Sequence, residues 1–320
     1  MDLKSVGVIT LLLANNVAIA EEKKDLSPEH LLADKSLSFI EIPSQCYMKG
    51  QLEDEKQWLI SQTSQNYYAQ KFINENYHEV CVDSFKISQF EVTLALYQQY
   101  SSENESATLG EKGCYVVGDN GWENNLEADW RNPTFEQVNT HPVVCISYYE
   151  AENFIAWLNN KLKPTYKYRL PTEGEWELAA RGEGKQRLSW RYWGNDADAA
   201  KACEYGNVSD LSLNDYKQQD QFFNCHDGAI QTADVHSFKP NNYQLYNMLG
   251  NVQEFTCSGF SDTPLLSESS CDNKETMENI TVKGASWYYP PIFNRAAFRG
   301  GLPRHLRFFG VGFRLAQDVE

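Results

Sequence analysis

Between Tyr243 and Phe255 the chain reads Tyr-Gln-Leu-Tyr-Asn-Met-Leu-Gly-Asn-Val-Gln-Glu-Phe. Asn247, Gly250, Asn251 and Glu254 fall at spacings that suit a tight, oxygen-lined turn better than a helix or a strand. Asparagine and glycine accept the unusual backbone angles of such a turn. The Asn247 amide oxygen, the Glu254 carboxylate and two carbonyls between them would ring a hard cation such as calcium. The same residue types also serve as plain turn formers, and the run alone leaves both readings open.

A second set lies nearer the C-terminus. Trp287, Tyr288, Tyr289, Asn294, Arg295, Arg299, Arg304, His305 and Arg307 follow one another on a chain that is otherwise acidic. Such a basic run would hold a carboxylate or a peptide backbone, with Trp and Tyr stacking on the ligand. The plainer reading is that arginines such as Arg299 and Arg314 form internal salt bridges while the aromatics pack. Histidine can act as acid or base near neutral pH, yet no carboxylate partner can be assigned to His305 from sequence.

The elements that must position these residues are only partly regular. Leu37–Ile42 alternates as a strand closed by Pro43, and Val80–Phe85 is a second strand candidate. Glu91 to about Tyr100 has a helical apolar face of Val92, Ala95, Leu96 and Tyr100. Residues 101–140 form a long polar loop anchored by Trp122, Trp130 and Pro133. Ser147 and Glu150 make a capping box, followed by the apolar stripe Ala151, Phe154, Ile155 and Leu158. Thr172 and Glu175 repeat the box, with Gly182 as the stop after Arg181. Beyond it come short strands and loops rich in Asn, Asp, Gly and aromatics.

Residues 1–20 have a short basic start, an apolar run from Val6 and a small-residue end at Ala18-Ile-Ala20, as in a cleavable secretory signal. The run is too short for a membrane span. Residues 21–36 read as a polar leader and 37–320 as one domain. Eight cysteines and export together argue for disulfides, although their parity does not fix which pairs form. No Cys/His spacing suggests zinc. A net charge of −16 disfavours nucleic acid and anionic membranes and suits cations or basic partners.

Six motifs occur in order: Phe85-Lys-Ile-Ser-Gln-Phe-Glu-Val-Thr93, His141-Pro-Val-Val-Cys-Ile-Ser147, Tyr168–Gly182, the run through Glu254, Lys283-Gly-Ala-Ser-Trp287 and Gly310-Val-Gly-Phe-Arg-Leu315. In this order the set closely resembles the formylglycine-generating enzyme (sulfatase-modifying factor) family, from about Leu37 to the C-terminus. The resemblance implies an irregular α+β, C-type-lectin-like fold stabilised by disulfides and calcium. Pairing cysteines within its segments favours Cys46–Cys81, Cys114–Cys145, Cys203–Cys225 and Cys257–Cys271. It also implies two structural calcium sites. The first would use the Asn207 side chain, the Val208 carbonyl, the Asp227 carboxylate and the Ala229 carbonyl. The second would use Asn247, Glu254 and the carbonyls of Gly250 and Val252.

The oxidases of this family hold copper through two cysteines near the C-terminus and convert a substrate cysteine to formylglycine. Here no cysteine follows Cys271, and the matching stretch Ser286–Arg299 looks shorter. Gln253 and Phe255 stand where tryptophans are usual, and Gly310 where asparagine is usual. Copper is therefore not expected. The branch of ergothioneine-type sulfoxide synthases needs a separate His-rich helical domain, for which six scattered histidines give no basis.

The resulting expectation is a periplasmic or secreted module that binds a protein or peptide, such as a secreted effector. No nucleic acid and no membrane insertion after signal cleavage are expected. The alternative is an oxidoreductase of the same superfamily working with a different active site, and a carbohydrate-binding role rests on fold analogy alone. The pocket candidates are Trp287, Tyr289, Arg304, His305 and Arg307.

Overall fold

The computed structural model describes residues 31, 37–104, 112–118, 121–182, 189–195, 199–213, 221–261, 266–271 and 278–319. The expected signal, and all of the expected leader except Leu31, lie outside these residues.

Twelve strands and six α-helices are arranged among them. β1 (Phe39–Ile42), β4 (Phe85–Ser88), β7 (Tyr168–Arg169) and β12 (Ala316–Asp318) form one sheet in the order β1-β4-β12-β7. A second sheet runs β10-β9-β8-β11, from β8 (Gln253–Gly259), β9 (Asn279–Lys283), β10 (Arg299–Pro303) and β11 (Val311–Gly312). β11 runs parallel to β8 and pairs Val311 with Gln253. Two hairpins complete the strands: β2 (Gln45–Lys49) with β3 (His78–Val82), and β5 (Cys114–Gly118) with β6 (Gly121–Asn125).

The segment expected as one strand over Val80–Phe85 divides at Asp83-Ser84 between β3 and β4. In β2 and β3 alternate side chains turn inward, so Tyr47, Lys49, Val80 and Val82 are buried while Cys46 and Cys81 face outward, directly opposite each other. A two-helix hairpin joins these strands: α1 (Glu53–Gln62) and α2 (Gln65–Lys71). The helix expected from Glu91 begins later, as α3 (Leu94–Glu103), because the Thr93 hydroxyl accepts the Leu96 N–H and makes Thr93 the cap.

Both capping boxes fold as read. Ser147 starts α4 (Tyr148–Leu162), and Thr172 starts α5 (Glu173–Arg181), which stops at Gly182 with φ 71°. Tyr97 of α3 stacks on Phe154 of α4 at 5.9 Å, closing the larger apolar core. The 101–140 stretch ends α3 and then supplies the β5–β6 hairpin, which carries Trp122. A short helix, α6 (Ala199–Tyr205), leads into the loop of the first expected cation site.

All eight cysteines form disulfides, in the sequential pairing Cys46–Cys81, Cys114–Cys145, Cys203–Cys225 and Cys257–Cys271. None is free. The fold is an α+β assembly in which long loops are tied by covalent bonds and buried ion pairs.

Candidate functional site

The two expected cation loops meet each other. Asn251 donates its backbone N–H to the Asn207 carbonyl at 2.6 Å, and Asn207 Nδ2 donates to Asn251 Oδ1 at 3.1 Å. Asn247 and Asn251 take left-handed backbone angles, φ 52° and 53°, and Gly250 has φ 95°. A Cβ on Gly250 would stand 2.3 Å from the Asn207 carbonyl oxygen, so only glycine lets the loops approach this closely. The turn read from the sequence is therefore real, and strand β8 begins only at Gln253.

The first set is assembled around Asp227. Its Oδ2 accepts the Val208 N–H and its Oδ1 the Ala229 N–H, both at 2.8 Å, which brings the four named residues together. Asn207 is fully buried, and its Oδ1 has no hydrogen-bond partner among the described residues. Burial pushes the Asp227 carboxyl up to about 7, with the neighbouring Asp210 charge adding to it. An orphaned amide oxygen on loops with two carboxyls that form no ion pair among the described residues is an oxygen-rich setting that fits a hard cation. Cys203 lies close to Asp210 and Asp227, but as half of a disulfide it offers no thiolate.

The second set is arranged differently from the expectation. Arg314 grips the Glu254 carboxylate with two bonds of 2.7 Å, and Trp176 Nε1 adds a third at 2.6 Å. That carboxylate already has a full positive partner. The acid beside the Asn247 turn that lacks one is Glu91, which accepts the Asn247 and Asn251 amides at 3.1 and 2.9 Å. Burial, opposed by Arg314 and reinforced by Glu254, raises Glu91 to about 7. Asn247 Oδ1, like Asn207 Oδ1, has no partner among the described residues. Sequence reasoning missed Glu91 and Asp210. Glu91 stands inside the Phe85–Thr93 motif, where it passed for the first residue of a helix.

The C-terminal candidates do not converge. Trp287 is fully buried in a cluster with Tyr288, Phe309 and Phe135. Tyr289 packs elsewhere, on Phe293 and Phe298, and burial pushes its hydroxyl up to about 12. His305 is exposed. Arg304 lies over the Tyr148 ring at 4.7 Å. Arg307 forms a two-bond pair with Glu150, at 2.7 and 2.9 Å, and so is tied to the cap of α4.

That pair lines a cavity of about 460 Å³ with Lys112, Asp129, Trp130 and Arg131. Farther along, Arg295 holds Glu55 and Glu75, Arg299 holds Glu173, and Lys283 holds Glu177. Most of the basic run thus neutralises buried glutamates of α1, α4 and α5. The internal reading given above for Arg299 and Arg314 extends to Arg295 and Arg307.

The chain matches the sulfatase-modifying factor enzyme 1-like domain over residues 49–319. It is similar to a formylglycine-generating enzyme of Streptomyces coelicolor, 33% identical over 212 residues that cover 62% of this chain and 61% of that protein. The mouse inactive C-alpha-formylglycine-generating enzyme 2 is 29% identical over 233 residues, covering 65% of each. The chain therefore spans about three fifths to two thirds of these relatives' length. The structure of PvdO from Pseudomonas aeruginosa superposes with a TM-score of 0.62 at 24% identity, covering 88% of this chain and 94% of that one, and shares its fold. With the domain match running from β2 to the last strand, the chain belongs to the formylglycine-generating enzyme (sulfatase-modifying factor) family.

Proposed function

We propose that this protein is an exported member of the family that works by binding a protein or peptide, its loops pinned by calcium, and that thiolate-copper oxidation is not its chemistry. One observation carries the reading: all eight cysteine sulfurs are locked in disulfides and no cysteine follows Cys271. Cu(I) calls for soft thiolate ligands, and this chain has none to give. The likeness to a relative described as inactive points the same way. Four disulfides suit an oxidising compartment, and among the described residues no helix is long and apolar enough to cross a membrane.

For calcium, Asn207, Val208, Asp227 and Ala229 form the better oxygen set. Asn247, Gly250 and Val252 are joined by Glu91 more readily than by Glu254. A cation there would stabilise rather than react, replacing the apolar core that irregular loops lack. Partners are expected to present a basic face to the acidic surface, as a secreted effector or another envelope protein would.

The test is metal content of the mature, disulfide-bonded protein after mild dialysis, together with a cysteine-peptide oxidation assay under copper and oxygen. Calcium near two per chain and no peptide oxidation above the copper-only control support the reading. Stoichiometric copper or iron, or steady oxygen consumption with a thiol substrate, would replace it with an oxidoreductase. Absence of calcium would remove the cation sites while leaving the binding role to partner capture.

A further inference from the structure

Arg191 differs from the buried arginines that hold glutamates. Arg181, Arg295, Arg299, Arg307 and Arg314 each hold at least one. Arg191 is fully buried, yet among the described residues its bonds go only to backbone carbonyls: Nε to Asn294 at 2.8 Å and Nη2 to Pro291 at 3.0 Å. Its Nη1 has no partner among the described residues. The guanidinium carbon lies 5.3 Å from the ring centres of Trp58 and Phe223 and 5.9 Å from that of Trp190.

Its neighbours are in the same condition. Asn294 is fully buried and neither end of its carboxamide has a partner among the described residues. Trp190 is 6% exposed, and its indole N–H has no acceptor among the described residues either. The three residues are stitched together by backbone, since the Asn294 carbonyl accepts Arg191 Nε and Ala296 N–H donates to the Trp190 carbonyl at 2.8 Å. The positive charge is poorly offset as well. Burial first, then the nearby Arg295 charge, brings the Arg191 guanidinium down to about 9, with only Glu55 acting against them.

Buried donors left unmade are costly, and most so when one of them is charged. Three such donors, on residues joined through the backbone and with the rings of Trp58, Trp190 and Phe223 around the guanidinium, suit a negative charge. A carboxylate side chain would have filled this role, as it does for the other five arginines, but none among the described residues pairs with Arg191.

We infer that Arg191, Asn294 and Trp190 form a buried site for one small monoanion, either a halide or a carboxylate of formate size. The guanidinium supplies charge, the carboxamide and indole N–H groups supply direction, and the rings of Trp58 and Phe223 exclude anything larger. The Asn294 amide oxygen takes a water that accompanies the ion. The anion site shares no ligand with the cation sets, although its Phe223 wall donates its N–H to the Ser209 carbonyl of the first loop, and it does not depend on the function proposed above.

The experiment uses the intact, disulfide-bonded protein in a gluconate buffer at constant ionic strength, with gluconate replaced stepwise by chloride, bromide, nitrate, formate or acetate. Thermal stability is expected to rise with the small anions and much less with acetate. The chlorine NMR linewidth of added chloride should broaden, and addition of bromide or formate should reverse it. The anion that competes best identifies a halide or a carboxylate occupant. Asn294→Leu keeps both carbonyl bonds of Arg191 and should weaken chloride by about tenfold, the loss of one hydrogen bond to a charged group. Arg191→Met should abolish the effect, and if that variant does not fold, Asn294→Leu decides. Equal stability in chloride and gluconate, or equal broadening in wild type and Asn294→Leu, would overturn the site and leave water as the partner of these groups.

Discussion

Replacing Arg307 by methionine separates a ligand-holding arginine from a structural one. The Arg307 and Glu150 side chains are 8% and 4% exposed and joined by two bonds. The pair therefore belongs to the buried regime, where removing one partner costs roughly 3–5 kcal/mol because the other charge is stranded. Glu150 would keep its bonds from the Ser147 N–H and hydroxyl, at 2.8 and 2.9 Å, which places Arg307→Met near the lower end. Glu150→Gln strands the guanidinium and weakens the α4 cap, and should cost at least as much. The double variant strands neither charge, so its loss should fall roughly 2 kcal/mol short of the two single losses combined. Urea unfolding with the disulfides intact measures all three, and a loss of about 3 kcal/mol corresponds to a fall in Tm of roughly 6–12 °C. The reasoning fails if Arg307→Met changes stability by less than about 1 kcal/mol, as an exposed pair would, or if the double variant is strictly additive.

Three further outcomes are expected. Cys46 and Cys81 are both exposed, whereas Cys114 and Cys145 are fully buried; graded reduction followed by alkylation and mass mapping should open Cys46–Cys81 first and Cys114–Cys145 last. Glu173 and Glu177 are fully buried, yet Lys49 and Arg299 around the first, and Lys283 and Arg181 around the second, outweigh the upward push of burial and hold both well below the usual carboxylate range. Because their folded pKa is depressed, the stability they contribute is present above the ordinary value of 4.5 and drains away as pH falls below it; a Glu177→Gln, Lys283→Met double variant should show a shallower acid transition. Gly250→Ala forces a methyl group to 2.3 Å from the Asn207 carbonyl oxygen at φ 95°. It should cost about 3 kcal/mol or more and abolish stabilisation by added calcium, which a thermal scan with and without chelator would check.

What the sequence discloses here is mostly local. Both capping boxes, the Gly182 stop and the Asn247–Asn251 turn depend on contacts within a few residues, and each folds as its spacing implies. The disulfide pairing is the one that the family resemblance favoured, although the cysteine count alone left it open. The helices of 53–71 give no such signal: α1 buries only Glu55 and Leu59, so it has no apolar stripe. Its anchor is Arg295, 240 residues away. The arginines are the clearest case. Their charge was legible, but the glutamates that absorb it come from distant helices, and residue type alone cannot tell a ligand-holding guanidinium from a neutralised one. Glu91 and Asp210 were hidden for a similar reason, since a buried acid beside a turn looks like any other acid until the turn is folded against it.

The place of β12 bears on how the chain must be made. The last strand in the sequence lies in the interior of its sheet, pairing Ala316 and Gln317 with β4 on one side and β7 on the other. Until residues 316–318 arrive, β4 and β7 each present an open edge, and such edges invite pairing with other chains. Arg314, just before that strand, also carries the pair to Glu254. This sheet is thus obliged to wait for residues 316–318, and contacts this remote in sequence form slowly. A ribosome-stalled or prematurely terminated chain would be a sticky, half-closed object.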